Sequence, residues 1–135
     1  MIFLDTSALV KRYAIESGSD EVLRLMDEDA GWAASAATRT EAEVTLCHLG
    51  PEGRPGSAVH RRLQDDWDRF AVVPVDADCL AHAAAIGCEQ RLRTLDAIHL
   101  AAALRLPAPL DFLTFDHQQA AAARRLGLVL AYTRI

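Results

Sequence analysis

The 135-residue sequence predicts an α/β fold in three layers, with helices on both faces of a mainly parallel central sheet. Three observations favour this class. Short apolar runs alternate along the chain with longer segments of helical spacing. No tight hairpin turn joins two neighbouring apolar runs, which favours parallel strands. Alanine is abundant while aromatic residues make up only 6%, as expected for closely packed helices.

The first part of the chain is predicted to contain one strand, several helices and a loop. IFLD, residues 2–5, has the length of a strand, and a helical stretch follows Asp5. Residues 17–31 have helical spacing. Residues 32–50 are predicted as one long helix, because a Gly-Pro pair gives a clear stop signal at its end. The Gly- and Pro-rich segment 50–57 is the loop that follows.

The second part adds the remaining elements of an alternating α/β pattern. The helices predicted there cover residues 57–70, 77–90, 94–106 and 116–127, the last closed by Gly127. The strands predicted there cover residues 71–75, 111–115 and 128–133. Because strand 71–75 contains a proline, it is placed at an edge of the sheet.

Length and composition predict a single domain over residues 1–135. Hydrophobic residues make up 51% and charged residues 24%, the balance of a globular protein rather than a disordered one. The apolar start is too short for a signal-peptide core, and no later run reaches membrane-spanning length. We therefore expect a cytoplasmic protein without a membrane segment.

The charge and the cysteines each narrow the kinds of contact and site that we expect in this chain. With a formal net charge of −5, the chain has no overall attraction for nucleic acid, so such contacts must come from local arginine clusters. The three cysteines are widely spaced and form no C-x-x-C pair. This pattern argues against both a disulfide framework and a zinc site.

Two aspartates fall at the ends of predicted strands. Asp5 ends the first strand, and Asp116 follows the strand 111–115. The carboxyl ends of parallel strands meet at one edge of a sheet, where ligands bind in open α/β folds. Helix capping is an adequate alternative for either residue alone, since Asp is a favoured N-cap.

Two more acids compete for the same crevice. Asp96 lies in the first turn of a predicted helix that Thr94 can cap, and an acid there is stabilised by the helix dipole. Glu41 follows Thr38 by three residues, which matches a capping box. A structural explanation is therefore adequate for each of these acids taken singly.

Four segments resemble a known family in their order and separation. They are MIFLDTSALVKRY, SAATRTEAEVTLCHL, RLRTLDAIHLAAAL and FLTFDHQQAAAARRLGL. Together they closely resemble the PIN domain, in particular the bacterial toxins of the VapC type. The resemblance covers essentially the whole chain and is most specific in LDAIHLAAA and TFD taken with LDTS. It implies a PIN-like α/β/α fold and a metal-dependent endoribonuclease that leaves a 5′-phosphate and a 3′-hydroxyl.

The resemblance also assigns roles to individual residues. The acidic quartet that binds divalent metal and cleaves RNA would be Asp5, Glu41, Asp96 and Asp116. Ser7 and Thr114 would match hydroxyl positions that support the metal site. Glu41 is preferred to Glu43 because it has the family spacing from Ser35, and Glu43 stays an alternative.

Electrostatics make a cation at such a quartet reasonable. Two carboxylates about 4 Å apart repel by roughly 4 kcal/mol at an effective dielectric constant near 20. A cluster of them would protonate or separate unless a cation joined it. Oxygen ligands suit Mg²⁺, with Mn²⁺ as an alternative, and such an ion can activate water for attack on a phosphodiester.

Other residues near these acids have both a functional and a structural interpretation. Arg12 and Arg39 are candidates to hold RNA phosphates, although exposed arginines on acid-rich helices more often form surface pairs. His99 follows Asp96 by three residues and could approach a metal. A buried histidine that orients its helix through hydrogen bonds is the more ordinary role.

The resemblance further implies a homodimer and a cognate antitoxin of the VapB type, whose arginine-bearing tail enters the site. The acidic balance of the chain suits a basic peptide partner. The rival function is a PIN-like module that binds RNA or docks proteins without catalysis. Degenerate modules of that kind usually lack one or more metal acids, whereas this chain keeps all four. The predicted function is therefore the RNA-cleaving toxin of a toxin–antitoxin pair.

Overall fold

A five-stranded parallel sheet forms the centre of the computed structural model, which describes residues 1–132. The strands are β1 (Ile2–Leu4), β2 (Trp32–Ser35), β3 (Phe70–Val73), β4 (Asp111–Leu113) and β5 (Val129–Leu130). Their order across the sheet is β3-β2-β1-β4-β5, and every neighbouring pair is parallel. The predicted α/β class with a mainly parallel sheet is confirmed.

Seven α-helices connect these strands within the described residues. They are α1 (Thr6–Tyr13), α2 (Ser19–Glu28), α3 (Ala36–Leu49), α4 (Ala58–Trp67), α5 (Ala77–Gln90), α6 (Thr94–Ala103) and α7 (His117–Arg125). A 3₁₀ turn, Pro51–Gly53, lies in the predicted loop between α3 and α4. Helix α5 has the predicted bounds, and α4, α6 and α7 end a few residues earlier than predicted.

The side chains of the strands alternate between two apolar layers. Phe3 and Phe112 pack into a cluster that includes the buried residues of α5, α6 and α7. Ile2 and Leu4 pack into a second cluster with buried residues of α1, α2, α3 and α4. Successive residues of a strand point to opposite faces, so this alternation covers both sides of the sheet with helices.

The predicted helix over residues 32–50 is wrong in its first four residues, which form β2. The local sequence WAAS is rich in alanine, which favours a helix when read alone. All four residues are buried, and they pair with β1 on one side and β3 on the other. Sheet pairing therefore overrides local propensity here. Because β2 ends at Ser35, α3 begins at the carboxyl edge of the sheet.

The two edge strands, β3 and β5, differ in how well they match the strands predicted from the sequence. Strand β3 is an edge strand, as the proline that directly follows it predicted. Strand β5 is shorter than the predicted segment 128–133, whose last residue lies outside the described part of the chain. No helix within residues 1–132 is long and apolar enough to cross a membrane. A cytoplasmic location stays a prediction.

Candidate active site

Four carboxylates line one pocket of about 220 Å³ at the carboxyl edge of the sheet; they belong to Asp5, Glu41, Asp96 and Asp116. Asp5 follows β1, and Asp116 lies just beyond β4. Because Leu4 and Leu113 are paired in register, these two strands end side by side. The second turn of α3 contributes Glu41, and the first turn of α6 contributes Asp96. The structure thus brings together all four predicted acids.

The carboxylate of Asp5 is held on both of its oxygens. Its Oδ1 accepts hydrogen bonds from the Ser7 hydroxyl at 2.7 Å and from the Ala8 N–H at 3.0 Å. Its Oδ2 accepts from the Thr114 hydroxyl. Asp5 is only 2% exposed, and this burial raises its pKa to about 6, although both hydroxyls act in the opposite direction. The residue therefore caps α1 and also faces the pocket.

The two hydroxyl residues also tie β1 to β4. Ser7 Oγ accepts from the Phe115 N–H at 2.9 Å, and Thr114 Oγ1 accepts from the Asp116 N–H at 3.1 Å. Each hydroxyl thus accepts from the backbone that follows β4 while it donates to Asp5. This arrangement fixes the Asp5 carboxylate relative to Asp116.

Glu41 is held by a buried histidine. His99, which is 1% exposed, places Nε2 3.1 Å from Glu41 Oε1. Burial by itself raises the pKa of Glu41, but hydrogen bonds from His99 and Thr6 lower it below the ordinary value. The expected buried, hydrogen-bonded histidine is confirmed.

The structure separates Glu41 from its alternative, Glu43. Glu43 Oε1 lies 3.2 Å from Arg39 Nε and 2.9 Å from His60 Nε2. Glu43 therefore faces α4, while Glu41 lines the pocket. The two side chains point in different directions because they are two residues apart on one helix.

Two of the predicted helix caps are wrong. The N-cap of α3 is Ser35, and Thr38 lies inside the helix, where its hydroxyl contacts His99 instead. The N-cap of α6 is Arg93, and Thr94 is the first helical residue. The capping-box explanation for Glu41 therefore does not hold.

Asp96 and Asp116 complete the charged rim of the pocket. Asp116 caps α7, and its Oδ1 accepts from the Gln119 N–H at 2.8 Å. Burial raises the pKa of Asp96, and the negative charges of Asp116 and Glu41 raise it further. Mutual repulsion of this kind is relieved by a cation.

The donor set suits a hard cation that keeps part of its water shell. Within residues 1–132, no three His, Cys, Asp or Glu side chains are gathered closely enough to form a ready-made metal cage. Mg²⁺ does not need such a cage, because it dehydrates reluctantly and commonly binds one or two carboxylates directly. The pocket offers oxygen ligands and has room for water, so its residues fit this ion.

The two predicted phosphate contacts have different surroundings. Arg12 Nε lies 2.9 Å from Asp66, and its guanidinium lies 5.0 Å from the centroid of the Trp32 ring. Trp32 begins β2, so Arg12 lies toward the amino edge of the sheet, away from the acids. The expectation that Arg12 lies near the acids is therefore corrected: α1 carries it away from that edge. Arg39 pairs with Glu43 and stays a prediction as a phosphate contact.

Arg93 is a basic residue at this rim that the sequence did not single out for the site. A second pocket of about 430 Å³ shares Glu41, Asp96 and Asp116 with the first, and Arg93 is one of its walls. Arg93 is exposed and lowers the pKa of Asp96, opposing the larger effects of burial and of Asp116. Its spacing of three residues before Asp96, across a helix start, was the available signal.

Comparisons with known proteins agree with this fold. A family model of the PIN domain matches residues 2–126. Ribonuclease VapC35 of Mycobacterium tuberculosis is 40% identical over 136 residues, covering 96% of this chain and 95% of the relative. Among solved structures, this chain is similar to Mycobacterium tuberculosis VapC20, which is described as a toxin that cleaves the sarcin–ricin loop. The TM-score is 0.77 at 18% sequence identity, and the match covers 98% of this chain and 100% of VapC20. A toxin–antitoxin complex from Klebsiella pneumoniae matches with a TM-score of 0.69 at 21% identity, covering 90% of this chain and 91% of that one.

The family match spans nearly the whole described chain and includes all four acids of the pocket. The similarity to VapC35 extends over almost the full length of both proteins. The chain therefore belongs to the PIN domain family.

Proposed function

We propose that this chain is a divalent-metal-dependent endoribonuclease and the toxin of a VapBC-type toxin–antitoxin pair. The observation that carries the proposal is the convergence of Asp5, Glu41, Asp96 and Asp116 on one pocket. Four separate segments of the chain supply these carboxylates, which helix capping alone does not require. The similarity to VapC35, which is named a ribonuclease, supports RNA as the substrate.

The carboxylates that we propose to hold the metal differ in how firmly they are placed. Asp5 is fixed by Ser7, Thr114 and the backbone, which makes it a rigid anchor. Asp96 and Asp116 are half-buried and face open pocket volume, where they can bind the ion directly or through water. A bound Mg²⁺ or Mn²⁺ would activate a water for attack on the phosphodiester and offset the charge that develops on the phosphoryl oxygens.

The second pocket supports a binding site for the RNA backbone. Its volume of about 430 Å³ lies beside the acids, and Arg93 lines it, so an arginine is available there to pair with a phosphate that flanks the cleaved one. A single-stranded or looped RNA fits this recess better than a duplex does, since its backbone can bend into the pocket. We propose Arg93, with Arg39 on the neighbouring helix, as the contacts that position RNA.

A basic antitoxin is the proposed protein partner. The net charge of −5 favours a positively charged peptide, and an arginine of that peptide would compete with the metal for the carboxylates. A groove of about 180 Å³ between the ends of α1 and α3 and the start of α4 has Leu46, Leu49 and Val59 in its walls. Such a surface suits the apolar face of an amphipathic helix. A homodimer is proposed on the family resemblance.

The test is RNA cleavage by the purified chain, freed of any antitoxin. A panel of transfer, ribosomal and messenger RNAs is incubated with Mg²⁺ or with EDTA, and the product ends are identified. We expect Mg²⁺-dependent cleavage that leaves a 5′-phosphate. Asp96→Asn should reduce the rate by more than the roughly 10- to 100-fold that loss of an outer-shell partner costs.

The matched control is Asp78→Asn, which removes one negative charge from an exposed position on α5 that does not line the pocket. It should cleave as the wild type does. Full activity of Asp96→Asn, or equal losses in both variants, would contradict the proposed site. RNA binding without cleavage of any RNA in the panel would favour the non-catalytic module instead.

A further inference from the structure

We infer that His99 is a positioning residue, which holds the Glu41 carboxylate at the metal pocket by donating a hydrogen bond from Nε2. The inference rests on the proposed function, because it assigns a role to a side chain that supports one of the proposed metal ligands. It assigns no metal contact to His99 itself.

The contacts of His99 indicate which ring nitrogen carries the proton. Nε2 lies 3.1 Å from Glu41 Oε1, and an ionised carboxylate can only accept, so Nε2 must carry a proton. Nδ1 lies 3.0 Å from Ser35 Oγ and 3.3 Å from Thr38 Oγ1, and both hydroxyls can donate to it. A hydroxyl can donate or accept, so both contacts are compatible with this tautomer, and the requirement for a proton on Nε2 comes from Glu41.

Glu41 needs such a partner more than Asp5 and Asp116 do. Asp5 and Asp116 cap helices through their side chains, which fixes their rotamers. Glu41 has a longer side chain with one more rotatable bond, and it lies in the second turn of α3, where no backbone N–H is free to bind it. The side chains that hold it are His99 and, with a weaker effect on its pKa, Thr6.

The position of His99 in the fold makes it a rigid support. It is 1% exposed in the middle of α6, one helical turn after Asp96, and all residues from Ala97 to Ala103 are buried. One of its other partners, Ser35, ends β2 and occupies the N-cap position of α3, the helix that carries Glu41. One imidazole therefore links the end of β2, helix α3 and helix α6 at the point where two of the four acids enter the pocket.

Two substitutions at His99 separate its two nitrogens. In His99→Gln, the side-chain amide nitrogen lies the same number of bonds from Cβ as Nε2 and can still donate to Glu41. In His99→Asn, the amide lies where Nδ1 was, so the contacts with Ser35 and Thr38 are kept and the donor to Glu41 is lost. Mn²⁺ binding is measured from the electron paramagnetic resonance signal of the unbound ion, and melting in EDTA reports folding.

We expect His99→Asn to weaken Mn²⁺ binding by about 10- to 100-fold, the range known for outer-shell partners of metal ligands. His99→Gln should stay within a few-fold of the wild type. The decisive measurement repeats His99→Asn in a Glu41→Ala background. If His99 acts through Glu41, His99→Asn should cause no further loss of Mn²⁺ affinity there.

An equal loss in both backgrounds would overturn the inference, because His99 would then act by supporting α6 and Asp96. If neither His99 variant folds, nitrogen NMR of the wild-type imidazole decides: a proton on Nε2 is expected, and an Nε2 without a proton would overturn the inference. If the wild type cleaves RNA with Mg²⁺ and His99→Asn binds Mn²⁺ equally well, only this inference fails. If the wild type neither binds Mn²⁺ nor cleaves RNA, the proposed function fails and the inference fails with it.

Discussion

Replacing Asp5 by Asn should stabilise the metal-free protein at neutral pH. Asp5 is 2% exposed, and burial raises its pKa from an ordinary value of 3.8 to about 6. Because one pKa unit is worth about 1.4 kcal/mol, ionised Asp5 costs the native state about 3 kcal/mol at pH 7. Asn carries no charge and is also a good N-cap, so the Ala8 N–H keeps its acceptor. We expect a gain of about 1–3 kcal/mol in the free energy of unfolding.

The pH dependence of this gain identifies its cause. The folded-state pKa of Asp5 is raised, so the stability due to its protonated form is complete below about pH 4 and is lost as the pH rises through about 6. The advantage of Asp5→Asn should therefore be full above pH 6 and vanish near pH 4. Urea unfolding in EDTA at pH 7.5, 6 and 4 measures it, with a midpoint shift of roughly 0.5–2 M at the highest pH.

Metal should reverse the order of stability. An ion that binds only the native state stabilises it by RT ln(1 + [M]/Kd), about 2.7 kcal/mol at 100 times Kd. Saturating Mg²⁺ should raise the unfolding midpoint of the wild type and leave Asp5→Asn almost unchanged. The assignment of Asp5 as a buried anion that destabilises the native state would be refuted in either of two cases: if Asp5→Asn is no more stable than the wild type in EDTA, or if its gain in the free energy of unfolding does not depend on pH.

Arg93→Ala should raise KM for RNA by about 3- to 10-fold and leave kcat unchanged in initial-rate kinetics, since an exposed ion pair contributes about 1 kcal/mol. The control is Arg124→Ala, at an exposed position in the last turn of α7, and equal KM values in the two variants would remove Arg93 from the site. Gln119→Leu should raise the free energy of unfolding, measured in urea, by about 1–3 kcal/mol, because neither polar atom of the buried Gln119 amide has a hydrogen-bond partner among the described residues. A loss of stability would show that a water molecule binds the amide. Arg12→Ala should lower the free energy of unfolding by about 1–2 kcal/mol, since it breaks the ion pair with Asp66, and should leave kcat and KM per folded molecule unchanged. A raised KM would show that Arg12 contacts the substrate.

The sequence predicted the part of the fold that depends on local pattern. Apolar runs bounded by turn residues located β1, β3 and β4, and a parallel sheet then requires Asp5 and Asp116 to meet at one edge. Strand β2 was missed because its two alanines have little strand propensity of their own. Only pairing with β1 and β3 makes them a strand, and no single segment contains that information.

The site was predictable where a residue lies next to the end of a strand and less so where it lies on a helix. Glu41 and Glu43 are two residues apart, and only the packing of α3 against α6 and α4 decides which one faces the pocket. Arg12 was expected beside the acids, but about two turns of α1 carry it from Asp5 toward the opposite edge of the sheet. Arg93 was overlooked because the direction of α6, unknown from sequence, places it at the rim.

The order of the strands has a consequence for synthesis of the protein. Strand β1 is made first but lies in the middle of the sheet, and its neighbour β4 begins only at Asp111. A nascent chain interrupted before that residue lacks the strand beside β1, the hydroxyl of Thr114 and the last carboxylate. A complete pocket therefore requires synthesis to continue through Asp116, and a chain that stops before this residue lacks one of the four carboxylates.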